Sequence, residues 1–440
     1  MKEYLLSRQY RQYSQNPPIQ SIFTADPSAH VWQDGRLYVY ASRDLDYTPR
    51  KADFSTMDRY HVFSTDDLVN WRDEGEILQS MDLSWGISGF MWAPDAAFKD
   101  GSYYFYYPHT SDHPWNDHWK IGVAKSSNPV SNFEDVGFIE GAGGHALIDP
   151  CVYIDDDEKA YLYYGGGAKA FQAELHEDMV TLAGTPEKID SLEDFHEAIW
   201  VFKRKGIYYL TYSDNHSGNN RLRYATGPTP LGPWTHKGIY LESVGLETSH
   251  GSVVEFNNKW YAFYHTNSLS NINELRNFCF DELHFNKAGE ILPVAVTKQG
   301  AVRLEISKRK APSHFTYQTA EDAKCLGCGI KSESHSPFEQ VIVDLDLMGS
   351  VVKFENVEGF DGGRVSLGFY YSTSESLAKL RLIVNDVDES LINFPYTGGD
   401  HTFDGYVNIT VPLAPGRANT ILLVGGQGAI ILEAISSQKL

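Results

Sequence analysis

Cysteine and long apolar runs are scarce in this sequence. Four cysteines in 440 residues, Cys151, Cys279, Cys325 and Cys328, exclude a disulfide framework. The last two form a lone Cys-x-x-Cys pair, and we interpret all four as structural thiols. No run approaches the ~18 apolar residues of a membrane helix, and the N-terminus lacks an apolar run of signal-peptide length. We therefore expect a cytoplasmic protein with no membrane partner.

Basic residues are also in deficit. The 37 Lys and Arg residues face 58 Asp and Glu residues, which gives a net charge of −21. Because nucleic acids require a basic surface, they are excluded as partners, whereas a neutral substrate is unaffected. Aromatic residues are abundant at 13%, which suits β-strands and equally suits a site that stacks on sugar rings. The sequence leaves the oligomeric state open.

One pattern, a polar turn followed by an alternating, Tyr-rich strand, occurs five times in the first 300 residues. Turns of this kind between β-rich runs indicate hairpins. Four short strands per unit is the number that a propeller blade contains. A β-sandwich with similar hairpins would not need five matched units. We therefore predict an all-β protein that begins with a five-bladed β-propeller. The copies are centred on Tyr38, Tyr103, Tyr161, Tyr208 and Trp260.

Three acids occupy equivalent positions in this repeat. Asp26 and Asp149 each lie twelve residues before the central tyrosine of their copy, and Glu197 lies eleven before its own. Asp-Pro is a common turn pair, but its recurrence in register favours a functional interpretation. Residues at the mouth of a propeller's inner strands converge on the axis, where neighbouring carboxylates raise one another's pKa. The result is a protonated acid beside ionised partners, as glycosidic bond cleavage requires.

An ordered set of short motifs over about residues 15–300 resembles glycoside hydrolase family 43. The resemblance implies an inverting mechanism in which Asp26 is the general base and Glu197 the general acid. It also implies that Asp149 raises the pKa of the acid and orients it, and that the chemistry requires no cofactor. The motifs are Ala25-Asp-Pro-Ser28, Trp92-Ala-Pro-Asp95, Ile148-Asp-Pro150, His196-Glu-Ala198, Thr248-Ser-His-Gly251 and the segment 276–285.

The same resemblance suggests further site residues. Arg276 matches a substrate-binding arginine, with a surface ion pair as the alternative interpretation. Trp92 is expected to form a wall of the sugar pocket or part of the core, and Phe23 and His30 are further candidate substrate contacts. His250 is expected either near a central calcium ion or in a hydrogen-bonded core position.

The last 130 residues differ in composition, since all nine tryptophans precede residue 261. Alternating short strands after a linker at 308–313 predict a jelly-roll-like β-sandwich. The predicted domains are 1–307 and 314–440. Several segments of the second domain resemble family 6 carbohydrate-binding modules, which implies a structural calcium at Glu321. Asp400 stands where such modules place a sugar-stacking tryptophan, so sugar binding and packing on the propeller both stay open.

The leading hypothesis is an exo-acting hydrolase that releases α-L-arabinofuranosyl or β-D-xylosyl residues from oligosaccharides. The insertion 109–119 is expected either to wall off the pocket and enforce exo action or to form a solvated loop. Hydrolysis of another sugar such as galactofuranose, or a catalytically silent glycan-binding propeller, are the alternatives.

Overall fold

The computed structural model describes residues 1–46, 53–112, 117–300, 314–346 and 349–440. These residues form thirty strands in seven sheets, with one α-helix, α1 (Lys2–Arg8). No helix within these ranges is long and apolar enough to cross a membrane. Three single 3-10 turns complete the regular structure, at Phe54–Thr56, Ser80–Asp82 and Ala320–Asp322.

Five antiparallel sheets follow one another along the first two thirds of the chain. Four have four strands and the fifth has three among the described residues. The first comprises β1 (Phe23–Val31), β2 (Leu37–Asp44), β3 (Arg59–Thr65) and β4 (Trp71–Gln79), and the second β5 (Asp95–Lys99), β6 (Ser102–Thr110), β7 (Trp119–Ser126) and β8 (Glu134–Gly144). The third comprises β9 (Ile148–Ile154), β10 (Ala160–Gly166), β11 (Lys169–Leu175) and β12 (Glu187–Lys188). The fourth comprises β13 (Phe195–Arg204), β14 (Ile207–Asp214), β15 (Leu222–Gly227) and β16 (Thr235–Leu241). The fifth comprises β17 (Ser252–Phe256), β18 (Lys259–Thr266) and β19 (Asn277–Leu283).

The first strands of these sheets form a closed ring. β1 contacts β5, β5 contacts β9, β9 contacts β13, β13 contacts β17, and β17 returns to β1. The repeated tyrosines of the second strands fill the space between neighbouring sheets, and Tyr40, Tyr106, Tyr163 and Tyr212 are fully buried. This arrangement confirms the predicted five-bladed propeller, with the inner strands along its axis.

The N-terminal segment helps to close this ring. The Asn16 side-chain amide donates to the Phe280 carbonyl at 2.8 Å, and its oxygen accepts from the Phe280 amide at 3.0 Å. The Asn16 backbone amide also donates to the carbonyl of Lys298 at 2.9 Å. A segment that leads into blade one is thus held against blade five.

Two further antiparallel sheets form the predicted β-sandwich. Their facing side chains build a buried core that includes Phe354, Phe369, Phe394 and Leu423. The six-stranded sheet comprises β20 (Phe315–Thr319), β22 (Gly329–Ser332), β23 (Gln340–Val343), β25 (Gly363–Ser372), β28 (Gly405–Leu413) and β30 (Ile431–Lys439). The five-stranded sheet comprises β21 (Ala323–Leu326), β24 (Val351–Val357), β26 (Leu377–Val384), β27 (Val387–Pro395) and β29 (Asn419–Gln427). The linker predicted at 308–313 lies outside the described residues.

The sandwich is docked on blade one of the propeller. The Thr410 amide donates to the Asp73 carboxylate at 3.0 Å, and the Thr410 hydroxyl donates to the Asp73 carbonyl at 2.7 Å. Arg364 donates to the Val130 carbonyl at 3.0 Å in blade two. These buried polar contacts surround an apolar cluster that continues from one part into the other. Packing on the propeller, one of the two roles predicted for the sandwich, is therefore present.

Helix α1 belongs structurally to the sandwich. Leu5 and Leu6 pack against Phe315 and Tyr370, and Arg8 forms a buried ion pair with Glu433. The sequence prediction placed these first residues with the propeller. The apolar face of the helix instead packs against strands of the sandwich.

Candidate active site

The three predicted acids meet in one cavity of about 80 Å³ at one end of the propeller axis. All three are buried. A larger cavity of about 740 Å³ opens where the same inner strands end, but it contains none of the three acids. The chemistry therefore points to the smaller cavity. It is lined by Asp26, Phe54, Met57, Trp92, Ala93, Ile148, Asp149, Glu197, Thr248, His250 and Arg276.

An unusual backbone conformation sets the acids at the mouth of the axis. Asp26, Asp149 and Ala198 have φ values of 52°, 53° and 64°, in the left-handed region that non-glycine residues rarely adopt. The pairing of each inner strand with its neighbour shifts register at the same points. Such β-bulges bend a strand and redirect its side chains. The same local distortion in blades one, three and four turns the carboxylates toward a common point.

Asp26 is held as a carboxylate. Its side chain accepts hydrogen bonds from the Ser42 hydroxyl and, at 3.3 Å, from Nη1 of Arg276. Its backbone amide donates to Nδ1 of His265 at 3.1 Å. Burial opposes ionisation, but the charge of Arg276 and the contact with His265 outweigh it and lower the Asp26 pKa well below its usual range. An ionised carboxylate at this position can accept a proton from water.

Glu197 is in the opposite state. Burial raises its pKa well above the usual range, and the negative charges of Asp149 and Asp26 raise it further. Asp149 also fixes its position, because Oδ2 of Asp149 accepts from the backbone amide of Ala198 at 3.0 Å. The cavity thus holds one protonated and one ionised carboxyl group, which is the pairing that acid–base catalysis needs.

Arg276 lies in the cavity wall and is buried rather than part of a surface ion pair. Its Nε and Nη2 atoms donate to the two carboxylate oxygens of Asp44 at 3.0 and 2.8 Å. Nη1 points to Asp26 and also donates to the Thr248 hydroxyl at 3.2 Å. One face of the guanidinium lies over the ring of Phe54, 4.9 Å from its centroid. Arg276 therefore places a positive charge in the cavity wall, next to the carboxylate of Asp26.

The apolar wall combines one predicted residue with two that the sequence patterns did not single out. Trp92 lines the cavity, packs against Trp119 with the ring centroids 4.6 Å apart, and donates from its indole nitrogen to the Phe54 carbonyl at 2.9 Å. Phe54 and Met57 belong to the connection between β2 and β3, outside the segments that the five repeats share. No signal in a single sequence marks them. Residues 113–116 of the predicted insertion 109–119 lie outside the described residues.

Two predicted substrate contacts, Phe23 and His30, do not lie at this cavity. Phe23 is buried against Leu275, with the Lys379 ammonium over its ring. His30 lies in the larger cavity, where it stacks on Trp32 at a centroid distance of 4.7 Å. Its separation from Asp26 has a simple cause, because four residues of extended strand span about 13 Å along the axis.

Within the described ranges, the two predicted calcium ligands lie outside any cluster of three metal-binding side chains. His250 is buried at the cavity, with Nδ1 3.7 Å from Oδ2 of Asp149. Burial lowers its pKa, but the neighbouring Asp149 carboxylate outweighs this effect and raises it. Glu321 is exposed on a 3-10 turn. Calcium prefers six to eight oxygen ligands, and neither residue belongs to a group of three His, Cys, Asp or Glu ligands within the described ranges.

Comparison with known proteins decides the family. The profile of glycosyl hydrolases family 43 matches residues 15–291, more than half of the chain. The chain belongs to glycosyl hydrolase family 43. The predicted fold and hydrolase activity are thereby confirmed, and the silent glycan-binding propeller is no longer needed to explain the site.

Individual members of family 43 are similar over the propeller and, in one case, beyond it. Xylosidase/arabinosidase 43A of Humicola insolens is 35% identical over 329 residues, which cover 63% of this chain and 98% of that protein. The crystal structure of a family 43 β-xylosidase/α-arabinofuranosidase from a compost microbial metagenome, in complex with xylotriose and in a calcium-free form, is 34% identical. It covers 64% of this chain and 98% of its own, with a TM-score of 0.58. An arabinoxylan arabinofuranohydrolase of Bacillus subtilis shares the fold over 97% of this chain and 98% of its own, at 24% identity and a TM-score of 0.59.

Proposed function

We propose that this chain is an inverting, exo-acting hydrolase that releases α-L-arabinofuranosyl or β-D-xylosyl residues from oligosaccharides. The observation that carries the proposal is the contrast between Glu197 and Asp26, which lie in one cavity with pKa values displaced in opposite directions. Family membership supports hydrolysis, and the xylosidase and arabinosidase relatives support these two pentoses.

The residues divide the reaction between them. Protonated Glu197 donates its proton to the glycosidic oxygen as the bond to the anomeric carbon breaks. Ionised Asp26 takes a proton from a water molecule, whose oxygen attacks the anomeric carbon from the opposite face, so the configuration inverts. Asp149 keeps the Glu197 carboxyl protonated by its charge and holds the adjacent backbone. After one turnover Glu197 is ionised and Asp26 is protonated, and exchange with solvent restores both.

The size and closure of the cavity support exo action on a small sugar. The cavity of about 80 Å³ exceeds the roughly 10–15 Å³ that one water requires, and it has the scale of a small ligand rather than of a polymer segment. Phe54, Met57 and Trp92 line the cavity with bulky apolar side chains, and we infer that they close the side along which an internal polysaccharide segment would continue. A single terminal residue is therefore the substrate portion that fits.

The proposed reaction assigns no chemical step to a metal. Both proton transfers are carried out by carboxyl groups, and Arg276 supplies positive charge beside Asp26. Calcium at His250 or Glu321 stays a prediction from the sequence.

The first test is hydrolysis of 4-nitrophenyl α-L-arabinofuranoside, β-D-xyloside and β-D-galactofuranoside by the wild type and Glu197→Gln. General acid catalysis contributes on the order of 10²–10⁴-fold, so Glu197→Gln should lose about a hundredfold or more in kcat on short xylo- and arabino-oligosaccharides, which are assayed alongside because their leaving groups need protonation. The matched control is Glu187→Gln on the exposed strand β12, which should retain full activity. Proton NMR of the first product formed reports its anomeric configuration, and retention of configuration would contradict the assigned roles.

A further inference from the structure

A group of three metal-binding side chain types lies in the β-sandwich, outside the active site. Glu333, His335 and His401 each place one ligand atom within 4.8 Å of the other two, and no other such group of three occurs within the described ranges. Glu333 and His335 lie in the connection between β22 and β23, and His401 lies between β27 and β28. Residues 68 positions apart thus meet on one surface.

The donor atoms are already nearly in place for an ion. Nδ1 of His335 is 2.6 Å from Oε1 of Glu333, and Nδ1 of His401 is 2.9 Å from Oε2. The two imidazole centroids are 5.0 Å apart. With zinc–ligand bonds of about 2.0–2.2 Å, tetrahedral geometry separates neighbouring ligand atoms by roughly 3.3 Å. Small side-chain rotations therefore suffice, without any change in the backbone.

The loop that bears Glu333 and His335 is held by its own hydrogen bonds. The Glu333 amide donates to the Glu339 carbonyl at 2.8 Å, and the Ser336 hydroxyl donates to the buried Glu433 carboxylate at 2.7 Å. The His335 amide donates to Oε1 of Glu333 at 2.9 Å. The Glu333 side chain is therefore held in position at the surface.

The second loop is anchored on both sides of His401. The carboxylate of Asp400 accepts from the Ser374 amide at 2.9 Å, and its carbonyl accepts from the Ser372 hydroxyl at 2.5 Å. On the other side, the Thr402 amide donates to the Gly399 carbonyl at 3.0 Å. Ligands carried by two fixed loops lose little freedom when an ion binds, which is the condition for a preorganised site.

We propose that Glu333, His335 and His401 bind one divalent transition-metal ion, with Zn²⁺ the best match, and that the ion joins the two loops. Two imidazole nitrogens and one carboxylate oxygen suit zinc and its neighbours, whereas calcium requires oxygen ligands. On binding, each imidazole keeps its proton on Nε2 and presents the Nδ1 lone pair. The histidine side chains are 61% and 63% exposed, so a water can complete the coordination and the ion can enter from solvent. This site does not rest on the proposed hydrolysis.

Titration calorimetry of the chelator-treated full chain with Zn²⁺ tests the site. We expect one equivalent to bind, and the affinity to fall at least tenfold in His401→Ala, since even outer-shell changes at metal sites cost 10–100-fold. The matched control is His284→Ala, an exposed histidine 3.9 Å from Glu282, which should bind zinc as the wild type does. All tested side chains are partly or largely exposed, and circular dichroism verifies that each variant is folded.

Cys325 and Cys328 are the competing zinc ligands, because the thiol of one lies beside that of the other. The titration is therefore repeated in the Cys325→Ser/Cys328→Ser background, where binding should persist. Co²⁺ provides a second readout, since a nitrogen and oxygen site gives no thiolate-to-cobalt charge-transfer band. Absence of zinc binding, unchanged binding in His401→Ala, or loss of binding with the two cysteines would each overturn the proposal.

Discussion

Oδ2 of Asp149 lies 3.0 Å from the backbone nitrogen of Ala198, the residue directly after Glu197. The third acid of the cavity thus acts on its neighbour in two ways, through this hydrogen bond and through its charge. A residue that only positioned the backbone would leave the ionisation of Glu197 unchanged, which makes the two effects separable.

Asp149→Asn should move the alkaline limb of the pH–rate profile. Glu197 must be protonated to act, so activity is present below its raised pKa and is lost as the pH rises through it. Removing the charge of Asp149 lowers that pKa, and the limb should shift to lower pH, with kcat reduced on the order of 10²-fold or more. The measurement is kcat/KM against pH on the preferred substrate. An alkaline limb that stays in place would show that Asp149 acts by position alone.

Arg276→Gln should create an acid limb. Asp26 works as an ionised base, and its lowered pKa keeps it ionised throughout the acidic range in the wild type. Without the guanidinium the Asp26 pKa rises, so activity should fall as the pH decreases toward the usual range of an aspartate. The same kcat/KM profile records it, and identical acid behaviour of both enzymes would contradict the assigned coupling.

Measuring the free energy of unfolding of Arg276→Gln separates a loss of stability from the expected change in the pH profile. Arg276→Gln leaves the buried Asp44 carboxylate without its partner, which should cost about 3–5 kcal/mol. The double variant Asp44→Asn/Arg276→Gln should recover part of this loss, measured by urea unfolding, while the acid limb persists because Asp26 still lacks the neighbouring charge of Arg276.

Phe54→Ala should open the closed side of the cavity. We expect KM for short oligosaccharides to rise several-fold and the preference for terminal residues to weaken. Product analysis on linear and branched oligosaccharides measures this, with Phe98→Ala at the larger cavity as the control. Unchanged products would mean that another part of the chain closes the pocket.

Thr410→Val should weaken the docking of the sandwich on blade one. The substitution keeps the shape, removes the hydroxyl that donates to the Asp73 carbonyl, and leaves that buried carbonyl without this donor. The expected loss is about 1–3 kcal/mol in the free energy of unfolding. Thr185→Val at an exposed position is the control, and equal stability of the two variants would contradict the assignment.

Hydrolysis should be insensitive to chelators. The rate of the wild type after treatment with EDTA should match the untreated rate within error, because both proton transfers belong to carboxyl groups. A loss of activity that Ca²⁺ restores would instead support the calcium predicted near His250.

The repeat made the propeller and the three acids predictable from the sequence. Asp26, Asp149 and Glu197 stand at equivalent distances from the strand tyrosines, so their convergence follows from the register alone. Phe54 and Met57 were not predictable, because they lie in a connection outside the repeated segments. The prediction for His30 was wrong, because residues four positions apart on an extended strand lie about 13 Å apart along the propeller axis. The cluster at Glu333 joins loops far apart in sequence, which no local pattern reveals.

The packing of helix α1 against the sandwich has a consequence for experiments that separate the propeller from the sandwich. Leu5, Leu6 and Arg8 contact Phe315, Tyr370 and Glu433, so the helix is covered only when the sandwich has folded. A fragment cut after the propeller would expose this apolar helix to solvent. Because α1 packs on the sandwich, we expect the propeller and the sandwich to unfold as a single cooperative unit, and the two should be produced and stored together.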